Sequence, residues 1–457
     1  MVTKMLNFLN DRIISLVTPI MLLGAGLWFS IRLKFFYIFH PKKILKSMTE
    51  RKSSGGISPF RAVTLALAGT LGVGNIAGVA SSIAIGGYGS VFWMWISALL
   101  AMMLKYAEIV LAIRHRRRDV ATGEYHGGAA YYIKDLLSSH GKKGLGTFLA
   151  LLFSALCIVN SVTMGCVIQA NAVSTSFAGV MDFSPLVLGL IMALLCALVV
   201  MGNAKWISAF SEKTVPLMTF GYILLSVAVL ASRGGLIDDA FRLIFEDAFS
   251  FRSAAGGAAG FVISRGLRAG VMRGLMSNEA GCGTAPTAHA AADTDSPAKQ
   301  GFWGLFEVFV DTILLCTLTA LVIIVAGDGV LAYSENPMMM AIKAYSSVLG
   351  KWSEYYMCLS VFLFAFATII CWAHYGKESL ISITKRKGVQ IAFVVIFCAF
   401  VVIGAISAPD EVWLAADLAL GVMTIINIPV LVASFGEVKE ETERFFYARG
   451  IDKQGDK

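Results

Sequence analysis

The stretch LALAGTLGVGNIAGVA, residues 65–80, is apolar enough to lie in a lipid bilayer and yet contains four glycines. A glycine weakens a helix by about 1 kcal/mol relative to alanine, so its repetition here needs a reason. Close helix packing would suit Gly74 and Gly78, because small residues let two backbones approach each other in lipid. Packing does not explain Gly72 or the polar Asn75. The alternative is an unwound turn at membrane depth, which is tolerated where its backbone groups line a cavity.

The same stretch also has the spacing G-x-G-x-x-A of a dinucleotide-binding turn, at residues 72–77. Such a turn follows a strand and is accompanied by an acidic residue about 20 positions further on. Here no Asp or Glu occurs between Glu50 and Glu108. The context argues against a nucleotide site, and between the two remaining alternatives we favour a turn that binds a substrate and a cation.

The composition is that of an integral membrane protein. Of the 457 residues, 57% are hydrophobic and 15% are charged, and the mean hydropathy is +0.73, whereas soluble domains carry about 25% charged residues. Apolar runs of about 20 residues can cross a bilayer, and they predict an all-α polytopic protein with about eleven transmembrane helices. The predicted spans are 13–37, 60–85, 90–113, 145–180, 184–203, 210–232, 254–281, 301–327, 353–383, 389–408 and 412–435.

The basic residues predict the sidedness of these spans, because short cytoplasmic loops retain Lys and Arg. Residues 32–61 carry eight of them, and the loops near 86–90, 181–185 and 405–411 carry none. The N-terminus is therefore predicted outside, and the charged tail from Glu437 is predicted cytoplasmic and solvated. The eight cysteines occur singly, nearly all in apolar spans, and indicate no disulfide framework.

Two glycine-rich membrane segments, residues 65–80 and 254–283, each open a block of five predicted spans. Because five is odd, the second block enters the membrane from the opposite side, as in transporters with inverted repeats and discontinuous helices at matching positions. The predicted units are an N-terminal helix and loop (1–52), a first repeat (53–232), a second repeat with an outer linker (233–435) and a tail (436–457).

Ionisable residues within apolar spans are candidates for function by default. Asp311 is the deepest carboxylate, and the sequence leaves open whether it serves ion coupling or pairs with a basic group such as Arg273. In the second glycine-rich segment Gly266, Gly270 and Gly274 recur every fourth residue and predict a packing face. The arginines of that segment are predicted to lie in the inner half of their helix, which is predicted to stop at Gly281.

Three residues near this segment raise the alternative of an intramembrane hydrolase. Ser277, Glu279 and His289 would have to converge in one pocket, and the sequence has no G-x-S-x-G elbow around this serine. Cys282 with His289 gives two candidate zinc ligands, whereas a zinc site takes three or four. We therefore predict neither an enzyme nor a transition-metal site.

Four runs of sequence resemble the alanine or glycine:cation symporter family, also called the sodium:alanine symporters, and the resemblance extends over residues 13–435. The runs are GTLGVGNIAGVA, QANAV, SNEAGCGTAPTAHAAA and EVFVDTILLCTLTALVI. The resemblance implies a LeuT-type fold of five plus five inverted helices with one extra N-terminal helix. It also implies import of a small neutral amino acid, alanine or glycine, together with sodium through a bacterial plasma membrane. Proton-coupled and passive transport remain alternatives.

The resemblance also implies a set of site residues. The substrate carboxylate would meet amides around Val73, Gly74 and Asn75, and its ammonium would meet carbonyls of Gly270 and Val271. Gln169 would bind the substrate and Trp372 would close one side of the pocket. The carbonyls of Ala68 and Leu71 and the hydroxyl of Thr368 would bind sodium.

One position departs from the family pattern. The family has a Ser-Thr pair where this chain has Ala367-Thr368, so one hydroxyl is missing from the implied cation site. No cofactor other than the coupling sodium is expected. The expected partners are the amino acid, sodium and membrane lipid, with no nucleic acid and no obligate protein partner.

Overall fold

The computed structural model describes residue 10 and residues 14–49, 57–120, 123–201, 204–249, 265–407 and 410–448. These residues are almost entirely helical. The helices up to residue 232 are α1 (Ser15–Arg32), α2 (Phe36–Phe39), α3 (Pro41–Thr49), α4 (Pro59–Thr70), α5 (Ala77–Gly86), α6 (Ser90–His115), α7 (Ala129–Ser139), α8 (Lys143–Val162), α9 (Ile168–Met181), α10 (Pro185–Val200) and α11 (Ala204–Ser232).

The second half continues in the same manner. Its helices are α12 (Ile237–Ala248), α13 (Arg265–Asn278), α14 (Pro286–Ala290), α15 (Pro297–Val308), α16 (Thr317–Ala326), α17 (Pro337–Leu349), α18 (Trp352–Ile383), α19 (Lys387–Ile406), α20 (Asp410–Ala433) and α21 (Phe435–Ala448). Three 3₁₀ segments are Val73–Asn75, Gly234–Leu236 and Asp328–Tyr333, and two π-helical segments are Thr163–Val167 and Phe309–Cys316. Strands β1 (Arg117–Arg118) and β2 (Tyr125–His126) form a small antiparallel hairpin that pairs Arg117 with His126.

Eight helices of the described residues are long and apolar enough to cross a membrane. They are Ser15–Arg32, Ser90–His115, Lys143–Met181, Trp206–Ser232, Pro297–Ala326, Trp352–Ile383, Lys387–Ile406 and Val412–Ala433. The other three predicted spans differ for separate reasons. The span 60–85 is divided into α4 and α5, the span 184–203 contains α10 with only 16 residues, and the span 254–281 is described only from residue 265. The total of eleven stays a prediction.

The division between α4 and α5 follows from the local sequence. Helix α4 begins with Ser58, whose hydroxyl accepts from the Arg61 amide at 3.2 Å, and with Pro59 in the first turn. It ends at Thr70, and a single 3₁₀ turn precedes α5. A Cβ at Gly72 would lie 2.7 Å from Thr368 Oγ1 and 3.0 Å from Gln169 Oε1. The residue is glycine because two polar side chains approach its backbone this closely.

Helix α13 packs its glycine face on α6, as the spacing predicts. A Cβ at Gly270 would lie 2.2 Å from the Ser90 carbonyl oxygen, and one at Gly274 would lie 2.8 Å from Ser97 Oγ. Gly266 faces the Gly86 carbonyl, so the Arg265 end of α13 adjoins the 86–90 loop. The arginines of α13 therefore lie on the side predicted to be outer. Their predicted placement in the inner half does not agree with this predicted sidedness, because Gly266 and Gly270 lie beside residues 86–94, at the start of α6.

A second interruption follows α13. The helix ends at Asn278, three residues before the predicted stop at Gly281. Glu279, Gly281 and Gly283 have φ of 54°, 87° and 81°, which keeps the backbone irregular until α14 begins. We call residues 279–285 the second break. The end of α13, just before the second break, meets the first break, residues 71–76, because a Cβ at Gly74 would lie 3.5 Å from Ser277 Cα.

The C-terminal segment is not the solvated tail that its charge predicts. Helix α21 has an apolar face, on which Val438 and Phe445 are buried. Its acidic residues hold Arg114 at the end of α6, with Glu437 at 3.0 Å and Glu440 at 2.8 Å. The described part of the tail is therefore a docked amphipathic helix.

Candidate functional site

Gln169 connects helix α9 to the first break. Its side-chain oxygen accepts from the Val73 amide at 3.1 Å, and its side-chain nitrogen donates to the Met164 carbonyl at 3.2 Å. Met164 belongs to the π-helical segment before α9, where i→i+5 bonding leaves an irregular set of carbonyls. That segment bends around Trp372, since a Cβ at Gly165 would lie 2.2 Å from the tryptophan Cβ. Trp372 is wholly buried in this contact.

The carbonyls at the end of α4 face α18. The last four carbonyls of a helix have no partner within it, and the Ala68 carbonyl instead accepts from Thr368 Oγ1 at 2.9 Å. Leu71 follows the helix end and is wholly buried. The negative end of the helix dipole also lies here. The Ala68 carbonyl and the Thr368 hydroxyl thus meet, and the neighbouring Ala367 adds no oxygen. The part of the Leu71 carbonyl in a cation site stays a prediction.

Asp311 joins the first break to the end of α13. Its Oδ1 accepts from Asn75 Nδ2 at 2.6 Å. Its Oδ2 accepts from Ser277 Oγ and from Thr312 Oγ1, both at 2.7 Å. Thr319 Oγ1 donates to the Asn75 carbonyl at 2.8 Å. The Asn75 side chain is thereby committed to Asp311, and its backbone amide donates to Gly72 at 3.3 Å.

The suggested pairing of Asp311 with Arg273 is wrong. The three side chains that donate to Asp311 are neutral, whereas the Arg273 guanidinium lies 5.4 Å from the centre of the Trp413 ring. Arg273 and Ser277 are about one turn apart in α13, but the Arg273 guanidinium lies beside Trp413 while Ser277 donates to Asp311.

Gly270 and Val271 lie within uninterrupted α13. Their carbonyls are part of a helix that continues to Asn278, and Gly270 faces α6. The second break lies C-terminal to both residues. Their predicted contact with the substrate ammonium stays a prediction, and the geometry places Ser277, not Gly270, beside the first break.

A cavity of about 320 Å³ reaches the first break. Val73, Ala77, Gly78 and Ser81 form one wall, Ile168 to Thr175 of α9 form another, and Arg273, Pro337 and Trp413 contribute to its rim. A Cβ at Gly78 would meet nothing within 4 Å. The predicted packing role of Gly78 is therefore wrong, because this glycine borders open space. The lining contains no acidic side chain.

A second group of polar residues lies toward the His115 end of α6. We call Lys105, Glu108, Glu279, His289 and Glu307 the inner polar cluster; all are 0% exposed. Lys105 Nζ lies 3.0 Å from Glu307 Oε1, and His289 Nε2 lies 3.0 Å from Glu307 Oε2. The sequence did not predict this cluster, because its members come from separate helices and from the second break.

The three hydrolase candidates, Ser277, Glu279 and His289, do not converge in one pocket. Ser277 hydrogen-bonds Asp311, Glu279 accepts from Thr284, and His289 contacts Glu307 and Gln300. The three hydrolase candidates thus belong to separate hydrogen-bond networks.

A polytopic helical protein with a broken helix that borders a cavity, and whose backbone groups meet polar side chains, has the layout of a secondary transporter. The sequence model of the Sodium:alanine symporter family matches residues 1–456, and the chain belongs to that family. It is a family of transporters and not of enzymes.

Individual relatives are similar over nearly the whole chain. The chain is 35% identical over 450 residues to the Sodium/alanine symporter AgcS of Methanococcus maripaludis, covering 97% of each protein. It is 37% identical over 435 residues to the uncharacterized transporter YflA of Bacillus subtilis, covering 93% of this chain and 90% of YflA. A crystal structure of a manganese transporter from Eremococcus coleocola covers 86% of this chain and 98% of its own, at 11% identity and a TM-score of 0.44. That score is too low to carry an argument about the fold.

Proposed function

We propose that this protein imports a small neutral amino acid, alanine or glycine, together with sodium by alternating access. The observation that carries the proposal is the meeting of Val73, Gln169, Thr368 and the Ala68 carbonyl at the first break. The backbone N–H of Val73 can donate to the carboxylate of an amino-acid substrate, and the side-chain amide of Gln169 can accept from its ammonium. Clustered carbonyl and hydroxyl oxygens suit a hard cation such as sodium, as they do the alkaline-earth ions.

In this proposal the substrate carboxylate takes the Val73 amide that Gln169 Oε1 occupies in the structure, because both are oxygen acceptors. Gln169 then turns its amide toward the substrate, and Gly74 and Asn75 contribute further backbone groups. Trp372 and Gly165 fill the space behind Gln169, which favours a short side chain. Gly270 and Val271 complete the ammonium contacts implied by the family resemblance.

Sodium would bind to the carbonyls of Ala68 and Leu71 and to Thr368. These groups surround Gly72, whose backbone continues directly to the substrate amide at Val73. A cation that fixes the end of α4 therefore preorganises the substrate amide, so each ligand should strengthen binding of the other. The site has one hydroxyl fewer than the family pattern, because residue 367 is alanine.

Asp311 would couple the two halves of the protein. It bonds Asn75 in the first break and Ser277 at the end of α13, so movement of the first break or of α13 changes its hydrogen bonds. We place these parts in a LeuT-type inverted repeat, with residues 53–232 and 233–435 as the halves. The surrounding membrane would be a bacterial plasma membrane, with the N-terminus outside and the C-terminus cytoplasmic.

The test is uptake of labelled alanine and glycine into proteoliposomes that contain the purified full-length protein. An inward sodium gradient should drive accumulation above equilibrium, and collapse of the gradient should abolish it. Sodium-independent uptake driven by an inward proton gradient would favour the proton-coupled alternative. Uptake that never exceeds equilibrium under either gradient would identify a passive transporter.

A further inference from the structure

The inner polar cluster contains more negative than positive charge. Lys105 lies in contact with one carboxylate only, that of Glu307. His289 accepts from Gln300 Nε2 at Nδ1, at 2.8 Å, and so donates from Nε2 to Glu307 as a neutral imidazole. Glu108 and Glu279 have no basic side chain in salt-bridge contact within the described residues. The cluster therefore holds two carboxyl groups without a counter-ion.

Each of these two carboxyl groups has one oxygen without a partner. Glu279 Oε2 accepts from Thr284 Oγ1 at 2.6 Å, while its Oε1 is buried without a hydrogen bond among the described residues. Glu108 Oε1 accepts from the Gly283 amide at 2.9 Å and from Asn427 Nδ2 at 2.6 Å, while its Oε2 is likewise unpartnered. An isolated carboxylate removed from water is so unfavourable that the group becomes neutral instead.

We propose that Glu279 is a proton-binding site built into the second break. A hydronium ion transfers its proton to Oε1: the O–H bond of the hydronium breaks, an O–H bond at Oε1 forms, a water molecule is left, and the charge of the cluster rises by one. Of the two carboxyl groups, Glu279 belongs to the second break itself, whereas Glu108 lies on α6, so opening of the break changes the surroundings of Glu279 directly. When the second break opens and water enters from the inner side, Glu279 ionises and releases the proton to that side.

The groups around Glu279 are consistent with this assignment. Titratable or charged groups face it from α6, α8, α15 with its π segment, α18 and the second break itself. They are Lys105, Glu108, Cys157, Cys282, Glu307, Asp311, Cys371 and Tyr375. Lys105 is the one cation among them, and it is already in contact with Glu307. Burial of a second negative charge beside Glu307 and Asp311 would add repulsion to the loss of hydration.

The second break is then a gate. Glu279 holds a proton when the gate is closed and has released it when the gate is open. Raising the pH at the inner face therefore favours opening of the second break, and lowering it favours closure. Because the proton enters and leaves on one side, it is not itself transported. The proton site stands on the geometry alone, and only its role in the transport cycle rests on the proposed function.

The first test is the thermal midpoint of the full-length protein in detergent as a function of pH. Glu279→Gln keeps the shape of the neutral acid and cannot ionise. Its midpoint should exceed that of the unaltered protein at alkaline pH, with a difference that shrinks as the pH falls. Glu307→Gln is the matched control, because it leaves Lys105 unpaired and should lower the midpoint even at neutral pH. A midpoint of Glu279→Gln that is below or equal to that of the unaltered protein at alkaline pH overturns the proposal.

The second test is exchange of labelled alanine across proteoliposomes with equal pH on both sides. The exchange rate of the unaltered protein should depend on pH. In Glu279→Gln, the change in exchange rate that the ionisation of one group produces should be absent. An unchanged pH profile overturns the role in the transport cycle. If the unaltered protein exchanges neither alanine nor glycine, the proposed function fails, and the thermal measurement still decides the proton site.

Discussion

Gly72 separates the proposed substrate and cation groups, so a single methyl group there should disturb both. In Gly72→Ala the new Cβ would lie 2.7 Å from Thr368 Oγ1 and 3.0 Å from Gln169 Oε1. Backbone strain does not contribute, because φ at Gly72 is −113°, which any residue adopts. The effect of the substitution is therefore purely steric.

The magnitude follows from the two contacts. Forcing an additional methyl group into a well-packed site costs about 1–3 kcal/mol, which corresponds to about a 5- to 150-fold change in an equilibrium constant. Displacement of Thr368 breaks its bond to Ala68, and displacement of Gln169 moves its amide away from the position proposed for contact with the substrate. We therefore expect both the sodium half-saturation and the alanine half-saturation to rise within that range.

The assay is sodium-driven alanine uptake in proteoliposomes, with reconstituted protein quantified for each variant. Gly78→Ala is the matched control, because a Cβ at Gly78 would meet nothing within 4 Å and the residue lies in α5 of the same segment. It should transport normally, and its helix should gain up to about 1 kcal/mol. Normal half-saturation in Gly72→Ala, or an equal defect in both variants, would refute the reasoning.

Three further predictions concern single groups. Gln169→Ala should weaken alanine binding about tenfold or more, because a hydrogen bond to a charged group contributes about 1.5–3 kcal/mol; unchanged affinity in a binding assay would remove Gln169 from the site. Ala367→Ser should lower the sodium half-saturation by supplying the missing hydroxyl, and an unchanged value would show that this hydroxyl is not needed. The pKa of His126 is raised because its ring hydrogen-bonds Glu378, so this contact stabilises the fold below the unfolded pKa of histidine and is lost as pH rises through the folded one. His126→Gln should therefore lower the thermal midpoint at acidic pH and change it little at alkaline pH; a difference that is constant with pH would contradict the ion pair.

The position of the first break was predictable because its signals are local. Glycines and a polar residue within one apolar run indicate unwinding without knowledge of any partner, and the structure interrupts the helix at residues 71–76. The glycine face of α13 was predictable for the same reason, since a four-residue spacing is a property of one helix. Gly78 has that spacing too, but whether a glycine meets a neighbour or a cavity depends on what another helix presents to it.

The partners of buried polar residues were not predictable from one sequence. Asp311 was correctly singled out, yet its bonds to Asn75 and Ser277 span more than 200 and more than 30 positions of the chain respectively. Arg273 seemed a suitable partner for Asp311 by charge alone, and its guanidinium lies beside the Trp413 ring instead. The inner polar cluster was missed because each member, taken singly, resembles an ordinary helix-end residue. The amphipathic face of α21 was obscured by its acidic residues, which bind Arg114.

The π-helical segment Thr163–Val167 determines where Gln169 points. A π turn contains one residue more than the α turn it replaces. Deletion of one residue in this segment would restore a regular α turn and keep the phase of α9, but it would remove the irregular carbonyls, that of Met164 among them, to which Gln169 Nε2 donates. The extra residue of the π turn thus helps to set the orientation of the Gln169 amide, so its loss could alter substrate choice without altering any residue that touches the substrate.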